Sequence, residues 1–379
     1  MIYLDNAATS RPKPPEVIGA MTSFMTDVCA NSGRSAHRLA VQASRIIYEA
    51  REAIAELFNV PDPLQIVFTL NATESINLAL KGFLKSGDHV ITSSMEHNSV
   101  MRPLRFLEQQ GIELTMVKCS SNGIIDPGDV KKSIRKKTKL IVLNHASNVI
   151  GSIQPAEEIG LLSREYGLLF MLDAAQTAGA YPVDAQRMNV DILAFSGHKS
   201  LLGPPGTGGL YIRQDVDIIP LKQGGTGSRS EEEYQPDFLP DKYESGTPNL
   251  PGIAGLGAGV RFVIQEGIES IRKKEIELTQ EIIDGLASIP VVEVYGEFES
   301  EKRVGVISFN IESMSPSEAG FRLDDEYEIM CRVGLHCAPV AHKTIGTFPD
   351  GTVRLSVGIF NTKDEVDMVI GAVKDISLT

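Results

Sequence analysis

The chain has 379 residues, 42% hydrophobic and 22% charged, enough for one large or two medium domains with a sizeable core. A formal charge of −13 repels phosphate backbones and anionic lipid, so nucleic acid and membrane surfaces are poor partners. No stretch reaches the roughly 18 apolar residues of a membrane helix, and the opening MIYLDNAATS has neither the basic nor the apolar region of a signal peptide. Four cysteines are too few for a disulfide scaffold, which leads to the expectation of a cytoplasmic protein with free thiols.

Strand and helix signals then alternate along the chain. Gln65–Leu70 is a short apolar run, and Thr73–Leu84 follows with helical spacing at Ile76, Leu80 and Phe83. His89–Ser93 predicts a strand, Val100–Gln110 a helix, and Glu113–Val117 and Lys139–Asn144 two further strands. Pro155–Tyr166 predicts a helix opened by proline. Leu168–Leu172 is too short for a helix and suits a buried parallel strand. Asp191–Phe195 and Gly209–Ile212 complete the set. Repeated βαβ units imply an α/β fold with a mostly parallel sheet, which binds ligands at the carboxyl ends of its strands. Ser228–Ser245 reads as an acidic exposed loop, and Lys131–Lys139 as a solvated helix end. Beyond Pro248 the pattern changes. Gly252–Ile289 is helical with a break near Gly267, Val291–Val294 and Val304–Asn310 are strands, and Asp364–Ile376 is an amphipathic helix. The expected division is 15–250 as a large domain, and 1–14 with 251–379 as a smaller α+β domain.

Six short motifs carry chemistry. In Phe195-Ser-Gly-His-Lys199, a lysine follows a strand among small residues; a Schiff-base lysine needs such a pocket, and a surface turn is the plain alternative. The glycines after it allow close backbone approach to a bulky group. Asp173 ends an apolar strand, where a carboxylate needs a partner such as a protonated pyridine nitrogen, or serves as a cap. Thr73 lies at a helix N-terminus, which is an anion site or a simple N-cap. His97 follows a strand and suits stacking on a ring or moving protons, although a lone histidine is more often structural. Cys337 sits beside His336 and near Arg332, neighbours that can lower a thiol pKa, although a buried inert cysteine is the commoner case. A zinc reading of Cys331, Cys337 and His342 lacks any CxxC pair. Arg354 lies in an apolar strand and needs an anion, either a substrate carboxylate or a structural partner.

Taken in order, Thr73, His97, Asp173, Gln176, Ser-Gly-His-Lys199 and Arg-x-Gly-x-His-Cys337 resemble the cysteine desulfurases of the class V aminotransferase group, fold type I pyridoxal phosphate enzymes. The opening Tyr3-Leu-Asp-Asn-Ala-Ala-Thr9 is similar to that family's N-terminus. The Arg-x-Gly-x-His-Cys337 motif resembles the Suf-type enzymes and selenocysteine lyase-like relatives. Leu335 stands where Suf-type enzymes usually carry a histidine, and Gly224-Gly225-Thr226-Gly227 where they often have three glycines and a bulky apolar residue.

The resemblance implies a role for each position. Lys199 would hold pyridoxal 5'-phosphate as a Schiff base, Asp173 would pair with its ring nitrogen, Gln176 would bond its ring oxygen and His97 would stack on its face. Thr73, Ser196 and His198 would hold the phosphate, with Thr247 reaching it from the neighbouring subunit of a homodimer. Asn148 and Arg354 would bind the substrate, Arg354 by its carboxylate. Cys337 would attack the sulfur of L-cysteine, leaving a persulfide and L-alanine. The persulfide would pass to an acceptor protein for iron–sulfur or thio-cofactor assembly. Other class V reactions, such as a selenocysteine lyase acting on L-selenocysteine or an aminotransferase, are the enzymatic alternatives. A non-catalytic sulfur carrier on the same fold is the alternative from another class, and the intact Lys199, Asp173 and Cys337 set argues against it.

Overall fold

The computed structural model describes residues 1–32 and 37–378. Strand β1 (Ile2–Tyr3) and helices α1 (Pro15–Ser23) and α2 (Arg38–Leu57) come first. The main alternation follows: β2 (Ile66–Thr69), α3 (Ala72–Phe83), β3 (His89–Ser93), α4 (Asn98–Glu108), β4 (Glu113–Val117), α5 (Pro127–Ser133), β5 (Thr138–Asn144), α6 (Ala156–Glu165), β6 (Leu169–Asp173), β7 (Ile192–Ser196) and β8 (Gly208–Ile212). The rest comprises α7 (Leu250–Glu266), α8 (Ile268–Ala287), β9 (Val292–Tyr295), β10 (Val306–Ile311), α9 (Pro316–Tyr327), β11 (Ile329–Met330), β12 (Arg332–Gly334), α10 (Pro339–Ile345), β13 (Thr352–Ser356) and α11 (Lys363–Ser377).

Seven strands form one sheet in the order β2-β8-β7-β6-β5-β3-β4. Every residue of β3, β7 and β8 is buried, as strands covered on both faces require. The sheet is parallel from β7 through β4, as the βαβ pattern implies, but β8 runs antiparallel to both β7 and β2. The reason is the connection. Residues 197–207 form turns with no helix, and a parallel crossover needs a dozen or more residues, usually including one.

A four-stranded antiparallel sheet, β12-β13-β10-β9, carries the second core. Phe309 and Ile307 are fully buried there, and such burial contributes about 1.5–3 kcal/mol per side chain. The same core takes Ile2 and Leu4 from the chain's start together with residues from Leu278 to Ile376. Strand β1 pairs in parallel with β11, and Asp5 bridges to Ser356. The break expected near Gly267 separates α7 from α8; its φ of 79° suits glycine. Helix α7 places Leu250, Ile253, Ala254, Leu256 and Val260 in the core of the large sheet. Ala338 and Ala341, just after Cys337, are buried in that core as well.

Candidate active site

Carboxyl ends of strands meet at one cavity of about 310 Å³. Asn144 ends β5, Asp173 ends β6 and Ser196 ends β7, and all three line it, with the N-terminus of α3 beside them. Of the residues singled out from sequence, Thr73, His97, Asn148, Asp173, Gln176, Ser196, His198, Lys199 and Arg354 share this cavity. Arg332, from β12 of the second sheet, and His336, from the turn after it, line the cavity as well.

Lys199 and Asp173 each favour the other's charged form, and burial opposes both. Burial pushes the Lys199 amine down to about 8, against the pull of Asp173 and aided by Arg354 and Arg332. Burial also pushes the Asp173 carboxyl up, although Ala175 N–H donates to Oδ1 at 2.9 Å and Lys199 favours the anion. A cation placed at Asp173 would restore its charged form. The lysine segment is shaped tightly: a Cβ on Gly197 would lie 2.3 Å from Thr207 Oγ1. The glycines beyond it serve packing, not approach to a bulky group. A Cβ on Gly208 would lie 2.7 Å from Asn71 Cα, and one on Gly209 2.3 Å from the Phe195 ring.

At the opposite end the N-terminus of α3 points into the cavity. Its cap is Asn71, whose Oδ1 accepts from Glu74 N–H at 3.0 Å; Thr73 is the second residue of the helix, not the cap. Ala72 N–H donates to Ser196 Oγ at 3.3 Å. Thr73 Oγ1 meets Ser99 Oγ at 2.8 Å, and Ser99 Oγ meets His97 Nδ1 at 2.8 Å. His97 Nδ1 also accepts from Ser99 N–H at 3.0 Å, so that nitrogen carries no hydrogen. Burial, then Lys199, pushes His97 down to about 4. His198 is likewise pushed down to about 4, by burial and then Lys199 and Lys13. An α-helix N-terminus with hydroxyls and neutral imidazoles around it is suited to a phosphate.

Arg354 is 1% exposed and already has protein partners. Its Nη2 donates to Asp5 Oδ1 at 2.6 Å and its Nη1 to Asn148 O at 2.9 Å. Asn148 Nδ2 donates to His336 O at 2.7 Å. Both readings of this arginine therefore have a physical basis: a structural ion pair on one face, and a cavity-lining face with Nε unpartnered. Gln176 Nε2 donates to Ala7 O at 3.2 Å.

Four buried polar atoms on the walls lack a protein partner: Asn144 Oδ1, Asn148 Oδ1, His198 Nδ1 and Arg354 Nε. Buried polar atoms are normally paired, so these walls are built for a polar occupant with both donors and acceptors. Asn144 was not anticipated, yet it stands directly across from Asp173 in the β5–β6 register. Glu96, in the His97 motif, is buried behind it. Glu96 accepts from Asn144 N–H at 3.1 Å and from Ser93 Oγ at 2.5 Å, and burial pushes it up to about 8.

Two expected residues do not line this cavity. Cys337 is exposed next to it, with Arg332 Nη2 3.7 Å from Sγ. His336 and Cys337 adopt φ of 49° and 58°, a left-handed pair that costs about 1–2 kcal/mol per residue. Thr247 lines a separate hollow of about 560 Å³ with Arg51 and Glu244. Among the described residues no cluster of metal-ligating side chains occurs and no helix is long and apolar enough to cross a membrane.

The pattern of the family described as aminotransferase class-V matches residues 2–369. A probable cysteine desulfurase of Methanothermobacter thermautotrophicus is 36% identical over 99% of this chain and 94% of its own length. One of Pyrococcus abyssi is 37% identical over the same shares. The apo structure of a cysteine desulfurase from Thermococcus onnurineus NA1 superposes with a TM-score of 0.93 at 36% identity, covering 100% of this chain and 94% of that one. With the cavity, the sheet and these full-length likenesses in agreement, the chain belongs to the class V aminotransferase family.

Proposed function

We propose that this chain is a cysteine desulfurase that binds pyridoxal phosphate, converts L-cysteine to L-alanine and takes up the sulfur on Cys337. The observation that carries the reading is one cavity holding a lysine with a lowered amine pKa, a buried carboxyl and a helix N-terminus, with an exposed thiol at its edge. The unpartnered atoms fit the group. His198 Nδ1 and the α3 N-terminus suit a phosphate; Asn148 Oδ1 and Arg354 Nε suit an amino acid.

The bound group supplies an electron sink for the substrate Cα. Lys199 holds it through the neutral amine, which a pKa near 8 makes available close to neutral pH. Asp173 would keep the ring nitrogen's proton in place, and Gln176 would bond the ring oxygen. His97, kept neutral by burial, would face the ring without adding charge. Thr73, Ser196 and His198 hold the phosphate. Arg354 and Asn148 orient the substrate carboxylate. Arg332 Nη2 lies beside Cys337 Sγ, and Cys337 would form the new S–S bond as the substrate's C–S bond breaks, the C–S electron pair staying with the carbon, which takes up a proton to give alanine.

The finer parts of the proposal rest on the sequence resemblance. The Arg-x-Gly-x-His-Cys337 run supports a Suf-type grouping. Thr247, outside the cavity in one chain, supports a homodimer in which it reaches the partner's phosphate site. An acceptor protein in a reducing cytoplasm receives the persulfide for iron–sulfur or thio-cofactor assembly. A smaller unit that joins residues 1–14 to the later part of the chain is supported by the second core's use of Ile2 and Leu4, whereas α7 packs in the large core and moves the boundary expected at 250 to beyond Glu266.

Sulfide and alanine release from L-cysteine with dithiothreitol tests the reading. Equal amounts are expected from wild type and neither from Cys337→Ala. Undiminished release by Cys337→Ala would remove Cys337 from the mechanism. Alanine and selenide from L-selenocysteine, with no sulfide from cysteine, would make the chain a selenocysteine lyase.

A further inference from the structure

The Cys337 turn is held in its left-handed conformation from three sides. Such a conformation persists only where the surroundings over-determine it. Two of the restraints are backbone carbonyls: His336 O accepts from Asn148 Nδ2 at 2.7 Å, and Cys337 O accepts from Asn98 N–H at 2.8 Å. The third runs through the His336 ring and leads away from the cavity. His336 Nε2 faces Arg332 O at 3.4 Å, His336 Nδ1 faces His342 Nε2 at 3.3 Å, and His342 Nδ1 faces Thr347 Oγ1 at 2.7 Å.

These contacts fix the position of each hydrogen. A carbonyl only accepts, so His336 Nε2 carries a hydrogen and Nδ1 accepts. His342 Nε2 must then donate, which leaves His342 Nδ1 as an acceptor for the Thr347 hydroxyl. A doubly protonated ring has no acceptor and would break the chain. Both rings are buried, at 3% and 0% exposure, and burial pushes both below the ordinary histidine range. The far end is firmly anchored. Helix α10 carries His342, its Ala341 is buried in the large core, and Thr344 Oγ1 donates to Ser94 O at 2.9 Å.

We propose that His342 and Thr347 are positioning residues for the sulfur-accepting turn: the Arg332 carbonyl fixes the tautomer of His336 and through it that of His342, and the Thr347 hydroxyl completes the chain by donating to His342 Nδ1, so that the His336 ring stays clamped on the Arg332 carbonyl and keeps the Arg332 guanidinium at Cys337 Sγ. The proposal rests on the reading of Cys337 as the sulfur acceptor. It adds two residues outside the cavity whose effect is confined to the thiol's placement.

Thr347→Val tests it. Valine matches threonine in shape and keeps the backbone contacts Thr347 N–H to His342 O and Gly351 N–H to Thr347 O. In ¹⁵N-labelled wild type, His336 and His342 should each show a protonated Nε2 and a bare Nδ1. Thr347→Val should leave His342 Nδ1 without its donor, shifting that nitrogen's resonance, and lower kcat for cysteine-dependent sulfide release about fivefold, the worth of one neutral hydrogen bond, with KM unchanged. Thr347→Ser should restore both readouts. A protonated Nδ1 on either wild-type ring overturns the proposal, as does a Thr347→Val protein with wild-type kcat, or one whose KM rises along with the loss of kcat. If Cys337→Ala desulfurates normally, the acceptor reading fails instead, and the nitrogen spectra still judge the hydrogen-bond chain.

Discussion

Arg354 Nη2 donates to Asp5 Oδ1 at 2.6 Å, joining residues 349 positions apart in the sequence. The arginine is held on one side by Asp5 and on the other by the Asn148 carbonyl, so its planar fork is oriented before any substrate arrives. Lysine is a single donor point that cannot span these partners and a carboxylate. Arg354→Lys should raise KM for cysteine by about tenfold or more while changing kcat less, as steady-state kinetics would show. Asp5→Asn keeps an acceptor but removes the charge. It should lower stability by about 1–3 kcal/mol in urea unfolding, since the arginine stays buried without a counter-ion.

Lys199 offers a direct titration. In cofactor-free protein, acetylation of its amine by acetic anhydride should rise through a midpoint near pH 8, not near 10.5. Peptide mapping across pH 6–11 would show this. A midpoint at the ordinary lysine value would mean that the cavity does not desolvate the amine.

Glu275 lies between the two cores, 3% exposed, and burial pushes its carboxyl up from 4.5 to about 8, Arg272 only partly opposing the effect. Between those pH values the folded chain binds one more proton than the unfolded chain. Stability contributed at this site therefore falls as pH rises from 4.5 to 8 and is level above that. At about 1.4 kcal/mol per pH unit the window amounts to at most about 5 kcal/mol. Glu275→Gln carries no such proton, so its stability relative to wild type should increase between pH 5 and pH 8. Urea unfolding at both pH values checks the sign.

Gly208 sets the distance between β8 and the start of α3. A Cβ there would lie 2.7 Å from Asn71 Cα and 2.8 Å from Phe195 O, both backbone atoms. Gly208→Ala should cost about 1–3 kcal/mol of stability. It should also weaken phosphate binding at the α3 N-terminus, measured by pyridoxal phosphate retention on dialysis.

What the sequence disclosed followed the range of the interactions. Strands β3 and β4 were legible residue for residue. Lys199, Asp173 and Thr73 were legible because strand ends carry their chemistry locally. The reversed direction of β8 was not, since it depends on what the 197–207 connection lacks. Helix α2 was overlooked although Ala40, Ala43, Ile47, Ala50 and Ile54 are buried at helical spacing; small alanines weaken the apolar signal. The Arg354–Asp5 pair and the burial of Glu96 arise from contacts between distant segments, which no local pattern records. Asn144 could have been found by applying the strand-end rule to β5 as it was applied to β6.

The second core uses both ends of the chain, and this fixes a timetable for biosynthesis. During synthesis Ile2 and Leu4 emerge well before the residues that cover them, Leu278 through Ile376. Asp5 likewise waits for Arg354. The large sheet can close while translation continues, but the cavity wall formed by Arg332, His336 and Arg354 cannot stand until β12 and β13 have been made. The cavity is thereby completed later in synthesis than the strand ends that form its floor.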